Sequence, residues 1–132
     1  MQPDKKVRVL IVDDHFIVRQ TMRCILAHHP NIEVVGEASD GDEAIAYTGR
    51  FQPAVVVMDM NLKKMDGITA ARLIKTQYPH VLVLGFSADA QNSNVYAMQQ
   101  AGAIEVLQKE DAMENLYAAI QRGVAAIQSN AA

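Results

Sequence analysis

The sequence predicts an α/β domain: a parallel sheet of five strands alternating with five helices that cover its faces. Three observations carry this. Short β-branched runs alternate with longer stretches of helical period, one βα unit after another. Ala54 to Met58 is apolar at every position, as in a strand buried on both faces. Breaks between segments fall at Pro30, Asp40-Gly41-Asp42, Pro53, Pro79 and Gly102. Such alternation requires right-handed crossovers between parallel neighbours.

Val7 to Asp13 reads as a first buried strand, a β-branched run ending in acids. His15 to His28 reads as a helix, with Phe16, Met22, Ile25 and Leu26 on its inner face. His28-His29-Pro30-Asn31 ends it. Ile32 to Ala38 is the second strand, and Glu43 to Phe51 a helix opened at Gly41 or Asp42. Ala54 to Met58 is the third strand, followed by a helix from Asp66 to Tyr78. Val81 to Phe86 is the fourth strand, and Ala90 to Ala101 a helix closed by Gly102. Ile104 to Leu107 is a short fifth strand, and Asp111 to about Gln128 an alanine-rich final helix.

The chain has 132 residues, room for one domain with its own core. Half of it is hydrophobic (50%) and 20% is charged, which excludes a disordered chain. A single cysteine, Cys24, excludes an intrachain disulfide and a multi-cysteine zinc site, and reads as an inert packed residue. Net charge is −3, and from Ser87 onward the only basic residues are Lys109 and Arg122. Direct nucleic-acid binding is therefore not expected. No apolar run approaches the ~20 residues of a membrane span, and the N-terminus lacks signal-peptide form, so a cytoplasmic protein is expected.

Ligands of open α/β sheets bind beyond the carboxyl ends of the strands. Strand one ends in Asp13-Asp14, strand three in Asp59, strand four in Ser87, and strand five in Gln108-Lys109. Three carboxylates at one sheet edge repel unless a cation neutralises them. A hard divalent ion such as Mg²⁺ takes one or two carboxylates plus waters and phosphate oxygens. Lys109 offers a fixed positive charge and Ser87 a hydroxyl donor, both suited to phosphate oxygens. Asp59 is the natural nucleophile, since carboxylates form aspartyl phosphates.

These residues resemble the receiver domain of two-component response regulators, the CheY-like family. The resemblance rests on strand-Asp13-Asp14, strand-Asp59, strand-Ser87-Ala88 and Lys109, in order, with Met65-Asp66-Gly67 after the acceptor. It runs from Val7 to about Ile127. Asp13-Asp14-His15 followed by Val18-Arg19, together with Val34-Val35-Gly36-Glu37-Ala38 and Asp40-Gly41-Asp42-Glu43-Ala44, is similar to the NarL/LuxR-type subfamily.

The resemblance implies a flavodoxin-like, doubly wound sheet of order 2-1-3-4-5. It implies a single receiver domain over 1–132, with a core of about 7–128 and no output domain in this chain. The chain is then either free-standing or the receiver part of a helix-turn-helix regulator. The resemblance further implies phosphorylation of Asp59 by a sensor histidine kinase or phosphotransfer protein. Mg²⁺ would be held by Asp14 directly, by Asp13 largely through water, and by Asp59 and the backbone carbonyl of Asn61. Ser87 and Lys109 would bind phosphoryl oxygens and relay the state. The chain would speed its own phosphorylation and dephosphorylation without a turnover substrate. Family members often associate near the final helix, so a homodimer is an open alternative.

Two positions depart from the family pattern. Lys63, followed by Lys64, stands where proline usually rigidifies the acceptor loop, and a solvated loop is expected there. Val106 stands where many receivers carry a rotating aromatic. Both departures sustain a rival reading, a receiver-like interaction module that ignores phosphorylation. A haloacid-dehalogenase-like phosphatase would need a second aspartate two residues after Asp59, where this chain has Asn61.

Taken singly, each site residue has a plainer role. Asp14 could cap the first helix, Asp59 a loop, and Ser87 or Asp89 the fourth helix. Lys109 alone would be a solvated lysine. His15, His28, His29 and His80 lack ligand spacing and read as surface or turn residues.

Overall fold

The computed structural model describes residues 6–87 and 92–130, the side chains of 92–94 and 128–130 excepted. Strands and helices alternate as β1 (Val7–Val12), α1 (Phe16–Ala27), β2 (Ile32–Ala38), α2 (Gly41–Phe51), β3 (Val55–Asp59), α3 (Gly67–Gln77), β4 (Leu82–Ser87), α4 (Asn92–Gln100), β5 (Ala103–Gln108) and α5 (Lys109–Asn130). Every pairing is parallel and the strand order is β2-β1-β3-β4-β5. This is the expected fold class and order. The expectations placed on Ala88, Asp89 and Ala90 lie outside the described residues.

The two-residue period of the strands sorts side chains into two cores. In β3, Val55 and Val57 face the layer of α1 and α5, packing with Met22, Leu26, Leu116 and Ile120. Val56 and Met58 face the opposite layer, with Ala70, Ile74 and Met98. All five residues of β3 are buried, which explains the apolar run of Val55 to Met58; Ala54 is exposed and precedes the strand.

Helix starts shift for local reasons. Asp40 caps α2 by accepting from Glu43 N at 2.9 Å, and Glu43 reaches back to Ser39 N at 2.8 Å. This reciprocal box starts the helix at Gly41. Asp66 caps α3 by accepting from Thr69 N at 2.8 Å, so it precedes the helix rather than opening it. α5 follows β5 without a loop, which makes Lys109 its first residue, with Glu110 and Asp111 in the first turn where the helix dipole favours them.

Two α1 expectations are corrected. Phe16 is 61% exposed, whereas Met22 and Leu26 form the inner stripe. Phe16 lies six positions before Met22, which places it about 120° round the helix from Met22 and about 80° from Leu26. Cys24 is exposed rather than packed, because a step of two residues from Met22 crosses to the far face. Among the described residues, no helix is long and apolar enough to cross a membrane.

Glu37, on β2, ties the sheet to α1. Its carboxylate accepts from Arg23 Nε at 2.7 Å, from Arg19 Nε at 3.0 Å, and from Gln20 Nε2. Burial pushes its carboxyl up, but hydrogen bonds from Arg23 and Arg19, the charge of Arg23 and a hydrogen bond from Gln20 outweigh this and hold it below its ordinary value. A depressed folded value means stability that is present above the unfolded value and lost as pH falls through the folded one. Glu37→Gln is expected to lower stability by about 1.5–3 kcal/mol at pH 7, as for hydrogen bonds to a charged group. Denaturant melts at pH 7 and pH 3 check this: the gap between wild type and variant should close in acid. A gap that stays constant with pH would show that charge plays no part.

Candidate functional site

β1 has β2 on one side and β3 on the other, so the connections after β1 and β3 run in opposite directions along the sheet and a crevice opens at their carboxyl ends. Register decides what meets there. Val12 pairs with Met58, which sets Asp13, just after β1, beside Asp59, the last residue of β3. Phe86 pairs with Asp59, and Ser87 ends β4 opposite Gln108, with Lys109 next along the chain.

Asp13 and Asp59 are fully buried. Asp13 Oδ1 accepts from His15 N at 2.7 Å, and the Asp13 carbonyl accepts from Arg19 Nη1 at 2.8 Å. Asp59 Oδ1 accepts from Asn61 N at 3.0 Å. Lys109 Nζ stands 3.4 Å from Asp13 Oδ2 and 3.4 Å from Asp59 Oδ2, over the Phe86 ring at 5.5 Å. Ser87 is buried, with Asn61 Nδ2 at 3.5 Å from its hydroxyl. Burial is the largest influence on Asp59 and raises its carboxyl above the ordinary range. The Asn61 N–H opposes this, the Asp13 charge reinforces it, and Lys109 opposes it again.

The loop after β3 is held by backbone contacts. Met60 N donates to Phe86 O at 3.0 Å, and Gly67 N donates to Met60 O at 3.0 Å. The start of α3 therefore lies directly on the chain carrying Asp59. Lys63 and Lys64 are exposed on this loop, Lys64 Nζ lying 3.7 Å from Asp40 Oδ2, in keeping with a solvated segment. Val106 is half-buried against the Met98 layer.

Asp14 does not cap α1: the cap position is His15, and no side-chain hydrogen bond is made there. Asp14 Oδ1 lies 3.0 Å from His15 Nδ1 and Asp13 Oδ2 lies 3.4 Å from Lys109 Nζ, but neither pair has hydrogen-bond geometry. Both oxygens are buried without a hydrogen-bond partner. Such groups are costly unless something charged meets them. Three carboxylates face one lysine, so the excess charge is negative. Ligand atoms of Asp13, Asp14, His15 and Asp59 lie within 4.8 Å of one another. This oxygen-rich set fits a hard divalent cation.

The structure thus gathers Asp13, Asp14, Asp59 and Lys109 at one point, with Asn61 joined through its N–H and Ser87 at the adjacent strand end. Sequence reasoning missed His15, read as a turn residue. Its Nδ1 lies 2.9 Å from Asp13 Oδ1 and 3.0 Å from Asp14 Oδ1. The available signal was its place directly after the acid pair, at the bend where β1 gives way to α1.

A family model described as the response regulator receiver domain matches residues 9–121. The transcriptional regulatory protein DegU of Brevibacillus brevis is 34% identical over 118 residues, covering 89% of this chain and 50% of that protein. The signal receiver domain of NarL from Mycobacterium tuberculosis superposes with a TM-score of 0.85 at 30% identity, covering 89% of this chain and 95% of that one. A LuxR-family two-component response regulator from Aurantimonas sp. SI85-9A1 gives a TM-score of 0.88 at 31% identity, covering 92% and 87%. The chain spans about half the length of the curated relatives it matches. With a match over most of its length, and with the acid crevice lying where the sheet reverses order, the chain belongs to the receiver domain family of two-component response regulators, the phosphoacceptor switches of that signalling system.

Proposed function

We propose that Asp59 is the phosphoacceptor of this chain. The donor is the phosphohistidine of a sensor histidine kinase or of a phosphotransfer protein. An Asp59 carboxylate oxygen bonds to phosphorus as the bond from phosphorus to the donor nitrogen breaks. The observation that supports this most directly is a fully buried Asp59 whose Oδ2 is 3.4 Å from Lys109 Nζ, inside a cluster with unpartnered carboxylate oxygens.

Lys109 neutralises a phosphoryl oxygen, and the Ser87 hydroxyl donates to another from the end of β4. The Asn61 N–H holds the Asp59 carboxylate in place. Asp14 and Asp59, with Asp13 through water and the Asn61 carbonyl, would hold Mg²⁺, which supplies charge neutralisation between the phosphoryl oxygens and the acids. Contacts of Ser87 and Lys109 to the phosphoryl group differ between the two states, which shifts the population of the β4–α4–β5 surface. In a longer protein that surface would regulate a partner or a DNA-binding output segment.

The test is intact mass after incubation with acetyl phosphate. Wild type should gain one phosphoryl group in the presence of Mg²⁺, and Asp59→Asn should gain none. An adduct that persists in Asp59→Asn would move the acceptor elsewhere. A wild type that gains none, and binds no beryllofluoride either, would favour the phosphorylation-independent interaction module.

The same variant reports on charge. A carboxyl raised above its ordinary value stabilises the fold fully only below the unfolded value, and that contribution is lost as pH rises through the folded one. At neutral pH in chelator, Asp59→Asn should therefore be more stable than wild type, on the order of 1 kcal/mol. Thermal melts in EDTA check this, and a destabilised Asp59→Asn would contradict the reading of mutual repulsion with Asp13.

A further inference from the structure

We infer that His15 is a ligand to the divalent cation of the acid crevice, so that this receiver binds borderline metals through nitrogen as well as oxygen. The inference rests on the cation site proposed above and adds a donor to it. Three observations carry it.

His15 Nδ1 lies 2.9 Å from Asp13 Oδ1 and 3.0 Å from Asp14 Oδ1. Adjacent ligands round an octahedral ion with bonds of about 2.1 Å stand about 3.0 Å apart. The imidazole nitrogen, hydrogen-bonded to Asp13 Oδ1 in the metal-free protein, therefore already stands at a ligand-to-ligand spacing from Asp14, the acid placed in direct contact with the ion. Secondly, Asp13 Oδ2 and Asp14 Oδ1 are buried without hydrogen-bond partners, although the Asp13 side chain is 0% and that of Asp14 only 9% exposed. The crevice holds negative charge that the described side chains do not satisfy, and Lys109 alone does not cancel it. Thirdly, His15 is the cap residue of α1 but makes no capping bond, so its side chain has no helical duty, and it is 59% exposed at the mouth of the crevice. It can turn there without disturbing the core.

The chemistry then differs from an all-oxygen site. Mg²⁺ takes carboxylates, carbonyls and water, whereas imidazole favours transition metals such as Mn²⁺, Co²⁺ and Zn²⁺ over Mg²⁺. A donor set of carboxylates plus one imidazole keeps Mg²⁺ competent through its oxygens and gives transition metals an extra bond. His15 would act as a specificity-determining residue for the metal, leaving Asp59 as the phosphoacceptor.

The experiment uses the full chain loaded with Mn²⁺ and read by electron paramagnetic resonance. Binding is titrated from the free-ion signal, with Mg²⁺ as competitor. Electron spin-echo modulation then reports any directly bonded nitrogen. Wild type should show imidazole nitrogen modulation, shifted to the ¹⁵N frequency when histidine alone is ¹⁵N-labelled. His15→Gln should lose the modulation and bind Mn²⁺ roughly tenfold more weakly, a loss of the size seen when a metal site's supporting groups are removed. Its Mg²⁺ affinity should change less than about twofold, since Mg²⁺ relies on oxygen. Circular dichroism of His15→Gln confirms the fold, and the labelled wild type needs no substitution at all.

The outcomes separate the two readings. Saturable Mn²⁺ binding without histidine nitrogen modulation would overturn the role of His15 and leave the carboxylate site standing. The same holds for modulation that survives in His15→Gln. No saturable Mn²⁺ or Mg²⁺ binding to wild type would overturn the cation site itself, and the role of His15 with it.

Discussion

Lys109→Met is expected to destabilise the metal-free protein by about 3–5 kcal/mol at neutral pH, the usual cost of removing one partner from a buried charge group. The reason is local. Asp13 and Asp59 are fully buried, and Lys109 Nζ, 3.4 Å from an oxygen of each, is the cation they share. Methionine keeps much of the stem that lies over Phe86 but leaves both carboxylates facing each other without that charge. Two measurements check this. Denaturant unfolding in EDTA gives the cost, and repetition with saturating Mg²⁺ should recover part of it. A double-mutant cycle with Asp59→Asn should show coupling above about 1 kcal/mol, because one charge of the repelling pair is then gone. A cost below about 1 kcal/mol, with no coupling, would mean that the crevice is wet enough to screen these charges.

Gly67→Ala is expected to lower stability by about 3 kcal/mol and to slow phosphorylation, although alanine favours helices over glycine by about 1 kcal/mol. A methyl group on Gly67 would overlap the backbone oxygen of Asp59 and come within 2.7 Å of Met60 Cα and 2.9 Å of the Asp59 carbonyl carbon. Those are backbone atoms of Asp59, the last residue of β3, and of Met60 just after it. They cannot swing aside as a side-chain tip can, so either α3 retreats or Asp59 moves. Gly123→Ala is the matched control. Its methyl group would meet the flexible Ile104 Cδ1, on a side chain that is 43% exposed. Rotation of that tip should leave the control within about 1 kcal/mol of wild type. Paired melts and acetyl phosphate reactions on the two variants decide the matter. Equal behaviour would show that the α3 contact does not constrain the site.

The contrast between these glycines shows why the loop after β3 differs from the rest of the surface. Gly67 permits close approach of two backbones, which is a requirement of position. Met65-Asp66-Gly67 was recognisable beforehand as a segment, but nothing in its composition says that its glycine rests on the carbonyl of Asp59. That contact exists because Gly67 N donates to Met60 O, closing the loop onto β3.

Most of the architecture was legible because it is governed by short-range periodicity. The continuous apolar run from Ala54 to Met58 implied burial on both faces, and Val55 to Met58 are buried, while Ala54 is exposed just before the strand. The errors lie where a cap or a helix phase decides. Between the two expected openings of α2, Gly41 and Asp42, the Asp40 cap and the bond from Ser39 N to Glu43 select Gly41, whereas α5 starts at Lys109, two residues before the expected Asp111. Helical spacing among apolar residues points Phe16 inward, yet the rotation of α1 set by Met22 and Leu26 leaves it in solvent. Cys24 failed for the same reason.

For the site, the residue types and their order along the chain were enough to nominate Asp13, Asp14, Asp59, Ser87 and Lys109, since acids and a lysine at successive strand ends converge in a parallel sheet whatever the loops do. The chain order could not decide distances. Parallel pairing of Val12 with Met58 brings Asp13 level with Asp59, and the absence of a loop between β5 and α5 puts Lys109 Nζ between them. Nor could it place His15, whose contact with both acids depends on one bend of backbone after β1. Periodicity and residue chemistry act over a few neighbours and are written in the sequence. Register, helix rotation and the meeting of charges tens of residues apart arise only when the sheet closes.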